Sequence, residues 1–73
     1  MINYYLNLNA QVNGDHEIHK ESCLYYYMYK TGNNFEHLGS FDNDYSALNY
    51  AKNKHPNLKI DGCSYCCPSI HKH

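Results

Sequence analysis

The sequence predicts an α+β fold in which a small antiparallel sheet of three to four strands carries one covering helix and a C-terminal cysteine knuckle. Three observations lead to this prediction. Apolar and polar residues alternate near the start of the chain, apolar residues recur every three or four positions near its middle, and three of the four cysteines lie between residues 63 and 67. We refer to residues 61–68, which contain these three cysteines, as the knuckle. A chain of 73 residues is expected to form a single small domain, 1–73, with a marginal apolar core.

The first strand is predicted from Ile2 to Val12. Its even-numbered positions are apolar, and its odd-numbered positions, apart from Tyr5, are asparagine or glutamine. This alternation is typical of a strand with one buried face and one face in water. A second strand is predicted to return from it over His16 to His19.

The turn between these strands is predicted at Asn13-Gly14-Asp15, a sequence that favours hairpins. A two-residue loop would place Ile18 on the polar face, although it is the only apolar residue of the returning segment. We therefore predict a three-residue turn with a bulge, in which Gly14 is left-handed, Ile18 joins Leu8 on the buried face and His19 points to the other side.

Two further strands are predicted in the middle of the chain. Leu24 to Lys30 is almost continuously aromatic and is predicted to be a strand covered on both faces, ended by the turn residues 31–34. Phe35 to Phe41 alternates again, with Phe35, His37, Gly39 and Phe41 on one face. A short extended segment around Leu58 and Ile60 is predicted to lead into the knuckle.

One helix of about three turns is predicted between these last two segments. Asp42 or Asn43 can cap its start, and Pro56 ends its pattern. Its inward face is predicted from residues that recur at intervals of three and four, namely Tyr45, Leu48, Ala51 and His55.

A metal site is predicted from two pairs of ligand residues at opposite ends of the chain. His19-x3-Cys23 and Cys63-x2-Cys66 each have the spacing with which a residue pair holds one edge of a tetrahedral zinc. Cys67 and His71 are alternative ligands that could replace a member of this set. Free thiols and a disulfide are the other interpretations of the four cysteines.

Composition and charge restrict the remaining functions. The net charge is −1, and all six positive residues are lysines scattered along the chain, so a phosphate-binding nucleic-acid surface is not expected, although it is not excluded. The chain shows neither a signal-peptide pattern nor an apolar run of membrane-spanning length. We expect a cytoplasmic protein without a membrane partner, most simply a monomer.

The order of these motifs resembles a known family. His19-x3-Cys23 is followed by Phe41-x5-Ala47-x3-Ala51 and then by Gly62-Cys63-x2-Cys66-x-Pro68. Across residues 16 to 68 this arrangement is similar to the zinc-binding domain of the Ada DNA methylphosphotriester repair protein. The resemblance implies a four-ligand zinc on a small sheet with a covering helix, held by His19, Cys23, Cys63 and Cys66.

The chain departs from the Ada pattern at the residue that carries the chemistry. In that family the first ligand of the upstream pair is a cysteine that accepts the methyl group, and here the position is His19, which offers no thiolate nucleophile. The whole chain is similar to a group of short uncharacterised bacterial proteins that share an Asn-Gly-Asp-His-Glu-x-His start and a Gly-Cys-x2-Cys-Cys-Pro end. In that group a further cysteine is expected near the position of Ile70.

Three functions follow from this reasoning. The first is a small zinc-stabilised structural or interaction domain without catalytic activity, which binds a protein or other macromolecule through an aromatic sheet face. The second is a thiol redox or metal-carrying protein that uses Cys63, Cys66 and Cys67. The third is a DNA-binding or repair accessory, by analogy with the Ada domain.

Overall fold

The structure is a computed structural model that describes residues 1–72. Its elements in chain order are β1 (Ile2–Asn7), β2 (His16–Lys20), α1 (Leu24–Tyr29), β3 (Phe35–Phe41), α2 (Asp44–Lys54), β4 (Ile60–Gly62) and a 3₁₀ turn (Pro68–Ile70). The four strands form one sheet in the order β3-β1-β2-β4. The predicted α+β class is confirmed. One correction applies to the sheet: β1 is antiparallel to β2 and β3, whereas β4 pairs with β2 in parallel after the α2 crossover.

Strand β1 is shorter than its alternating pattern predicts. It ends at Asn7, where the side-chain Oδ1 accepts a hydrogen bond of 2.9 Å from the backbone N–H of Asn9. Leu8 and Val12 are exposed. Asparagine side chains compete with strand pairing by bonding to nearby backbone, so the chain turns away from the sheet before the apolar alternation ends.

The connection from β1 to β2 spans residues 8–15, which is longer than the predicted three-residue turn. Gly14 does adopt a positive φ, 89°, as predicted. Ile18 is fully buried, but its cross-strand partner is Leu6 and not Leu8. Ile18 is therefore on the predicted face of the sheet, but its partner in β1 lies two residues before the predicted one.

The segment from Leu24 is a helix, so the prediction of a strand over Leu24 to Lys30 is wrong. None of the six residues of α1 is β-branched, and leucine and methionine favour helices. The chain already turns at Cys23, whose N–H donates to the carbonyl of Lys20 at 2.9 Å, and the N–H of Tyr27 continues the turn by donating to the carbonyl of Cys23 at 3.0 Å. The turn at Cys23 therefore starts a helix, which the aromatic composition alone did not predict.

A β-bulge in β3 divides its alternating residues between the two faces of the sheet. Tyr4 pairs with Gly39 and Tyr5 pairs with His37, so Leu38 is left without a cross-strand partner. Leu38 is buried in the main core, and the predicted placement of all four alternating residues on one face is wrong. Of these four residues, Phe35 and His37 share the face of Tyr5, whereas Gly39 and Phe41 share the face of Tyr4.

The two faces of the sheet carry different layers. Helix α2, the predicted covering helix, begins after Asn43, whose Oδ1 accepts from the N–H of Ser46 at 2.9 Å. It packs against a core whose buried members are Tyr4, Leu6, Ile18, Leu38, Ala47, Leu48, Ala51, Cys67 and Ile70. Of the predicted helix face, Tyr45 is exposed and Ala47 takes its place. The short α1 lies over the opposite face, where Tyr26 stacks on Tyr5 with ring centroids 4.4 Å apart.

A buried polar network joins β1 to α2. The Tyr4 hydroxyl donates to Asp44 Oδ1 at 2.6 Å, and the Ser69 hydroxyl donates to Asp44 Oδ2 at 3.0 Å. Burial and the adjacent Asp44 carboxylate raise the pKa of Tyr4 above its ordinary value. The carboxylate therefore fixes both the start of α2 and the 3₁₀ turn to the sheet.

Candidate metal centre

The four residues of the predicted ligand set come together beside the parallel pair of strands. His19 lies on β2, and Cys23 is the residue that caps the start of α1. Pairing of Ile18 with Gly62, and a hydrogen bond of 3.0 Å from the Cys63 N–H to the Ile18 carbonyl, bring the end of β4 next to His19. The topology of the sheet thus joins two sequence motifs that are about forty residues apart.

The geometry of this cluster is suited to one metal ion. The ligand atoms of His19, Cys23, Cys63 and Cys66 all lie within 4.8 Å of one another. Tetrahedral zinc bonds would separate two sulfurs by about 3.8 Å and a sulfur and a nitrogen by about 3.6 Å. The distance from Cys23 Sγ to His19 Nδ1 is 3.6 Å, and that from Cys23 Sγ to Cys63 Sγ is 4.0 Å. The group could therefore hold a metal ion without rearrangement of the backbone.

Backbone N–H groups are directed at the sulfurs of the cluster. The N–H of Lys20 donates to Cys66 Sγ at 3.4 Å. The N–H groups of Tyr65 and Cys66 act on the Cys63 sulfur, where they lower the thiol pKa and so partly oppose the effect of burial. Hydrogen bonds of this kind stabilise the thiolate form, which is the form that binds metals.

Burial and a neighbouring thiol raise the pKa values of the cysteines in the cluster. It raises the pKa of Cys63 to about 12, and it also raises the pKa of Cys23. The Cys67 thiol, followed by burial, raises the pKa of Cys66. Three thiolates in such a place require a nearby positive charge, and a divalent cation would supply it.

His19 is oriented by a carboxylate that the sequence reasoning did not identify. Burial lowers the pKa of His19 to about 4, so its imidazole is neutral at pH 7. Its Nδ1 faces Cys23, and its Nε2 lies 3.5 Å from Glu17 Oε1. A metal-ligating histidine commonly directs its second nitrogen at a carboxylate. The signal was present in the sequence, because Glu17 lies two residues before His19 on the same strand and so on the same face.

The two alternative ligands lie elsewhere. Cys67 is fully buried in the main apolar core, with its Sγ 3.8 Å from that of Cys66. His71 Nδ1 lies 2.9 Å from the carbonyl oxygen of Gly62 and 3.0 Å from Asp61 Oδ2. The structure brings neither of them into the group of four. None of the four cysteines is joined in a disulfide.

The histidines outside the predicted ligands and their alternatives are His16, His37, His55 and His73, and the first three have other partners. His16 Nδ1 lies 3.0 Å from the Asn7 carbonyl oxygen, and His37 Nε2 lies 3.1 Å from Asn3 Oδ1. His55 Nε2 lies 2.9 Å from a Glu36 carboxylate oxygen. The last of them, His73, is outside the described residues.

Gly62 allows the knuckle to close against the core. A Cβ at this position would overlap the Ile70 side chain and lie 2.8 Å from the carbonyl oxygen of Cys67. Cys67 in turn donates its N–H to the carbonyl of Cys63 at 2.8 Å. The absence of a side chain at Gly62 is therefore a condition for the close packing of Cys67 and Ile70 against the end of β4.

Comparisons with protein-family models, with curated proteins and with solved structures found no match to this chain. Neither α-helix in the described part of the chain is long and apolar enough to cross a membrane. The functional conclusion therefore rests on the site itself.

Proposed function

We propose that the protein is a small zinc-stabilised domain that acts as a monomer and binds a protein or other macromolecule without catalysing a reaction. The observation that carries the proposal is the close approach of one imidazole and three thiols, all within 4.8 Å of one another. Their side chains come from β2, from the start of α1 and from the knuckle after β4, so one ion would join three segments of the chain.

The chemistry of the donor set favours zinc over other cations. Three sulfurs and one nitrogen in a tetrahedral arrangement suit Zn²⁺, whereas Mg²⁺ and Ca²⁺ prefer six or more oxygen ligands. His19, Cys23, Cys63 and Cys66 would hold the ion. Because all four positions are then filled by protein, zinc would supply a cross-link and would leave no position for a reactive water.

The size of the domain makes such a cross-link important. A structural zinc in a small peptide contributes about 10–16 kcal/mol of apparent binding free energy at pH 7, which is comparable with the whole stability of a typical domain. Cys23 and Cys63 have only a short helix and a short strand to hold them in place. We therefore propose that folding of the knuckle depends on the ion.

The exposed aromatic residues form the surface that we propose for partner binding. The aromatic segment is helical, so this surface belongs to α1 and the knuckle and not to the sheet face expected from the sequence. Its exposed large side chains are Leu24, Tyr25, Tyr27, Met28, Tyr29 and Tyr65. Tyrosine contributes large contact area together with a polar end, which suits a binding surface.

Thiol redox exchange or metal carriage by Cys63, Cys66 and Cys67 is the competing proposal, and burial weighs against it. A redox-active cysteine is usually accessible and has a lowered thiol pKa. Here the pKa of Cys63 is raised to about 12, and Cys67 is fully buried.

A DNA-binding or repair role by analogy with the Ada domain has the least support. The chain has no arginine. Lys20, Lys54 and Lys59 lie within ion-pair distance of Asp44, Glu36 and Asp15 respectively. A duplex-binding surface usually needs a concentration of free positive charge. Binding to duplex DNA that weakens steeply with added salt would restore this role.

Thiol alkylation followed by mass spectrometry separates the first two proposals. In the zinc-loaded protein we expect none of the four cysteines to react quickly, because three are coordinated and Cys67 is buried. After zinc is removed with a strong chelator we expect all four to react. Rapid modification of the knuckle cysteines in the zinc-loaded protein, with reversible disulfide formation, would support redox exchange instead.

A further inference from the structure

A second candidate binding site lies next to the metal centre. It is a cavity of about 390 Å³ between the knuckle, β2 and α1, within the size range of small-molecule sites. Three tyrosines line it, Tyr25, Tyr29 and Tyr65, together with Glu17. We refer to these four residues as the tyrosine cage.

The rings of the tyrosine cage stand in different orientations around the cavity. Tyr25 and Tyr29 are four residues apart on α1, which places them on one face of the helix, and their rings are inclined by 18° with centroids 6.3 Å apart. The Tyr65 ring, in the turn between Cys63 and Cys66, is almost perpendicular to that of Tyr25, at 87° and 5.3 Å. The cavity is therefore bordered by aromatic surface from two separate segments.

The charge of the tyrosine cage is negative. Glu17 is its acidic residue, and no lysine is among the described residues that line the cavity. The chain contains no arginine at all. Aromatic faces attract cations through the ring quadrupole, and a carboxylate at the same place adds a direct attraction.

We propose that the tyrosine cage binds a methylated ammonium group. Three phenol rings and one carboxylate provide the combination of aromatic surface and negative charge with which proteins recognise quaternary ammonium ligands. A primary ammonium carries three N–H donors that need acceptors, whereas a methylated ammonium presents methyl groups that pack on rings. Gln11 and Ser64 also line the cavity and could accept hydrogen bonds from a primary ammonium. The preference for the methylated cation therefore rests on the ring surface of Tyr25, Tyr29 and Tyr65, and it is tested below against unmodified lysine.

A larger adjoining cavity accommodates the rest of such a ligand. It has a volume of about 600 Å³ and shares Glu17 and Tyr29 with the tyrosine cage. Side-chain amides line much of it, from Asn7, Asn9, Gln11, Asn13 and Asn33. Amides donate and accept hydrogen bonds, so this cavity suits the polar part of a small molecule or the backbone of a modified peptide.

The site rests on the proposed function only because metal coordination would fix the turn that carries Tyr65. The experiments therefore use zinc-loaded protein whose metal content has been measured. A protein that holds no zinc would contradict the proposed function, and a protein that holds zinc but fails to bind the cation would contradict the tyrosine cage alone.

Titration followed by NMR chemical shifts tests the proposal. Choline is the first probe, and 3,3-dimethyl-1-butanol, which has the same shape without the charge, is its control. We expect saturable shifts at the tyrosine cage with choline, and at least tenfold weaker binding of the neutral alcohol. Equal binding of the two would overturn the proposal, because it would mean that the cavity accepts any apolar group. Absence of saturable shifts with choline would also overturn it.

The source of the methylated ammonium is distinguished with a second pair of probes. A short peptide that contains trimethyl-lysine is compared with the same peptide bearing unmodified lysine. Tighter binding of the trimethylated peptide than of choline would assign the site to modified proteins, and tighter binding of choline would assign it to small metabolites. Both results support the cage, whereas equal or tighter binding of the unmodified peptide would overturn it.

Substitutions locate the binding site. We expect Tyr65→Leu to weaken choline binding about tenfold and Tyr65→Phe, which keeps the ring, to preserve it. Tyr27→Leu is the matched control, since Tyr27 is exposed on the same helix but does not line the cavity. Equal effects of Tyr65→Leu and Tyr27→Leu would contradict the assignment. Tyr29→Leu repeats the test outside the knuckle, in case Tyr65→Leu lowers the zinc content.

Discussion

A serine scan of the knuckle distinguishes the metal ligand from its neighbour. The Cys66 sulfur belongs to the group of four ligand atoms, whereas the Cys67 sulfur, 3.8 Å away, lies in the apolar core. If a zinc site of about 10–16 kcal/mol is divided evenly among four ligands, each contributes about 3 kcal/mol. We therefore expect Cys66→Ser to weaken zinc binding by a factor of roughly a hundred or more.

The same substitution one residue later has a different effect. Cys67→Ser places a hydroxyl in a fully buried apolar position, which costs about 1–3 kcal/mol of stability when the group finds no partner. The zinc dissociation constant of that variant should change little. The assay is competition with a chromogenic chelator, combined with urea unfolding of the zinc-loaded protein. A larger loss of zinc affinity in Cys67→Ser than in Cys66→Ser would refute the ligand set.

Three further predictions concern packing, the polar core and pH. Gly62→Ala should lower the free energy of unfolding by about 1–3 kcal/mol, because its Cβ would overlap Ile70. Gly32→Ala is the control and should have almost no effect, since nothing lies within 4 Å of its Cβ position. Equal losses of stability in the two variants would contradict this explanation. Tyr4→Phe should lower the free energy of unfolding by about 1–3 kcal/mol, because the buried hydrogen bond to Asp44 is lost. Tyr45→Phe removes an exposed hydrogen bond and should lower it less. Chemical denaturation of both variants measures the difference, and the reverse order would be inconsistent with a buried network. Zinc affinity should fall as the pH is lowered, because zinc binds thiolates and its binding releases the thiol protons. In the folded chain burial raises the pKa of Cys63 to about 12 and lowers that of His19 to about 4, and in an unfolded zinc-free chain a thiol pKa of about 8.5 and an imidazole pKa of about 6.5 give nearly the same protonation at pH 7. Calorimetry in buffers of different ionisation enthalpy should therefore give about three protons per zinc, and a value near one would be incompatible with three thiolate ligands.

The candidate metal-binding group could be predicted because it depends on local spacing. His19-x3-Cys23 and Cys63-x2-Cys66 contain enough information to propose two halves of one site, and the structure brings the four residues together. Spacing favoured Cys66 through the Cys63-x2-Cys66 pair and left Cys67 as an alternative, so the final choice between them was not fixed by spacing alone. It depends on the packing of the knuckle against Gly62, which is a tertiary property.

The errors in the predicted fold have local physical causes. Leu24 to Lys30 was predicted as a strand because aromatic residues are enriched in sheets, but β propensity mainly reflects packing and gives way to the turn that starts at Cys23. The bulge at Leu38 reverses the alternation of β3. Its signal in the sequence is the adjacent Gly39, which has a positive φ of 127°, because an isolated glycine inside a strand often marks a bulge. The end of β1 at Asn7 was visible in principle, since asparagine often terminates strands through its own side chain.

The parallel pairing of β4 was beyond sequence reasoning for a different reason. A strand of three residues, Ile60–Gly62, carries too little pattern to indicate its direction. Its position follows from the α2 crossover, which returns the chain to the edge beside β2. That placement is what brings Cys63 to His19.

The most direct test of the zinc proposal is the metal content of the native protein together with its fold. Native mass spectrometry should find one zinc per chain. Removal of that zinc with a strong chelator should abolish the near-ultraviolet circular dichroism of the packed tyrosines, and the return of zinc should restore it. A zinc content far below one per chain, together with a fold that the chelator does not change, would contradict the proposal that a metal ion at His19, Cys23, Cys63 and Cys66 holds this domain together.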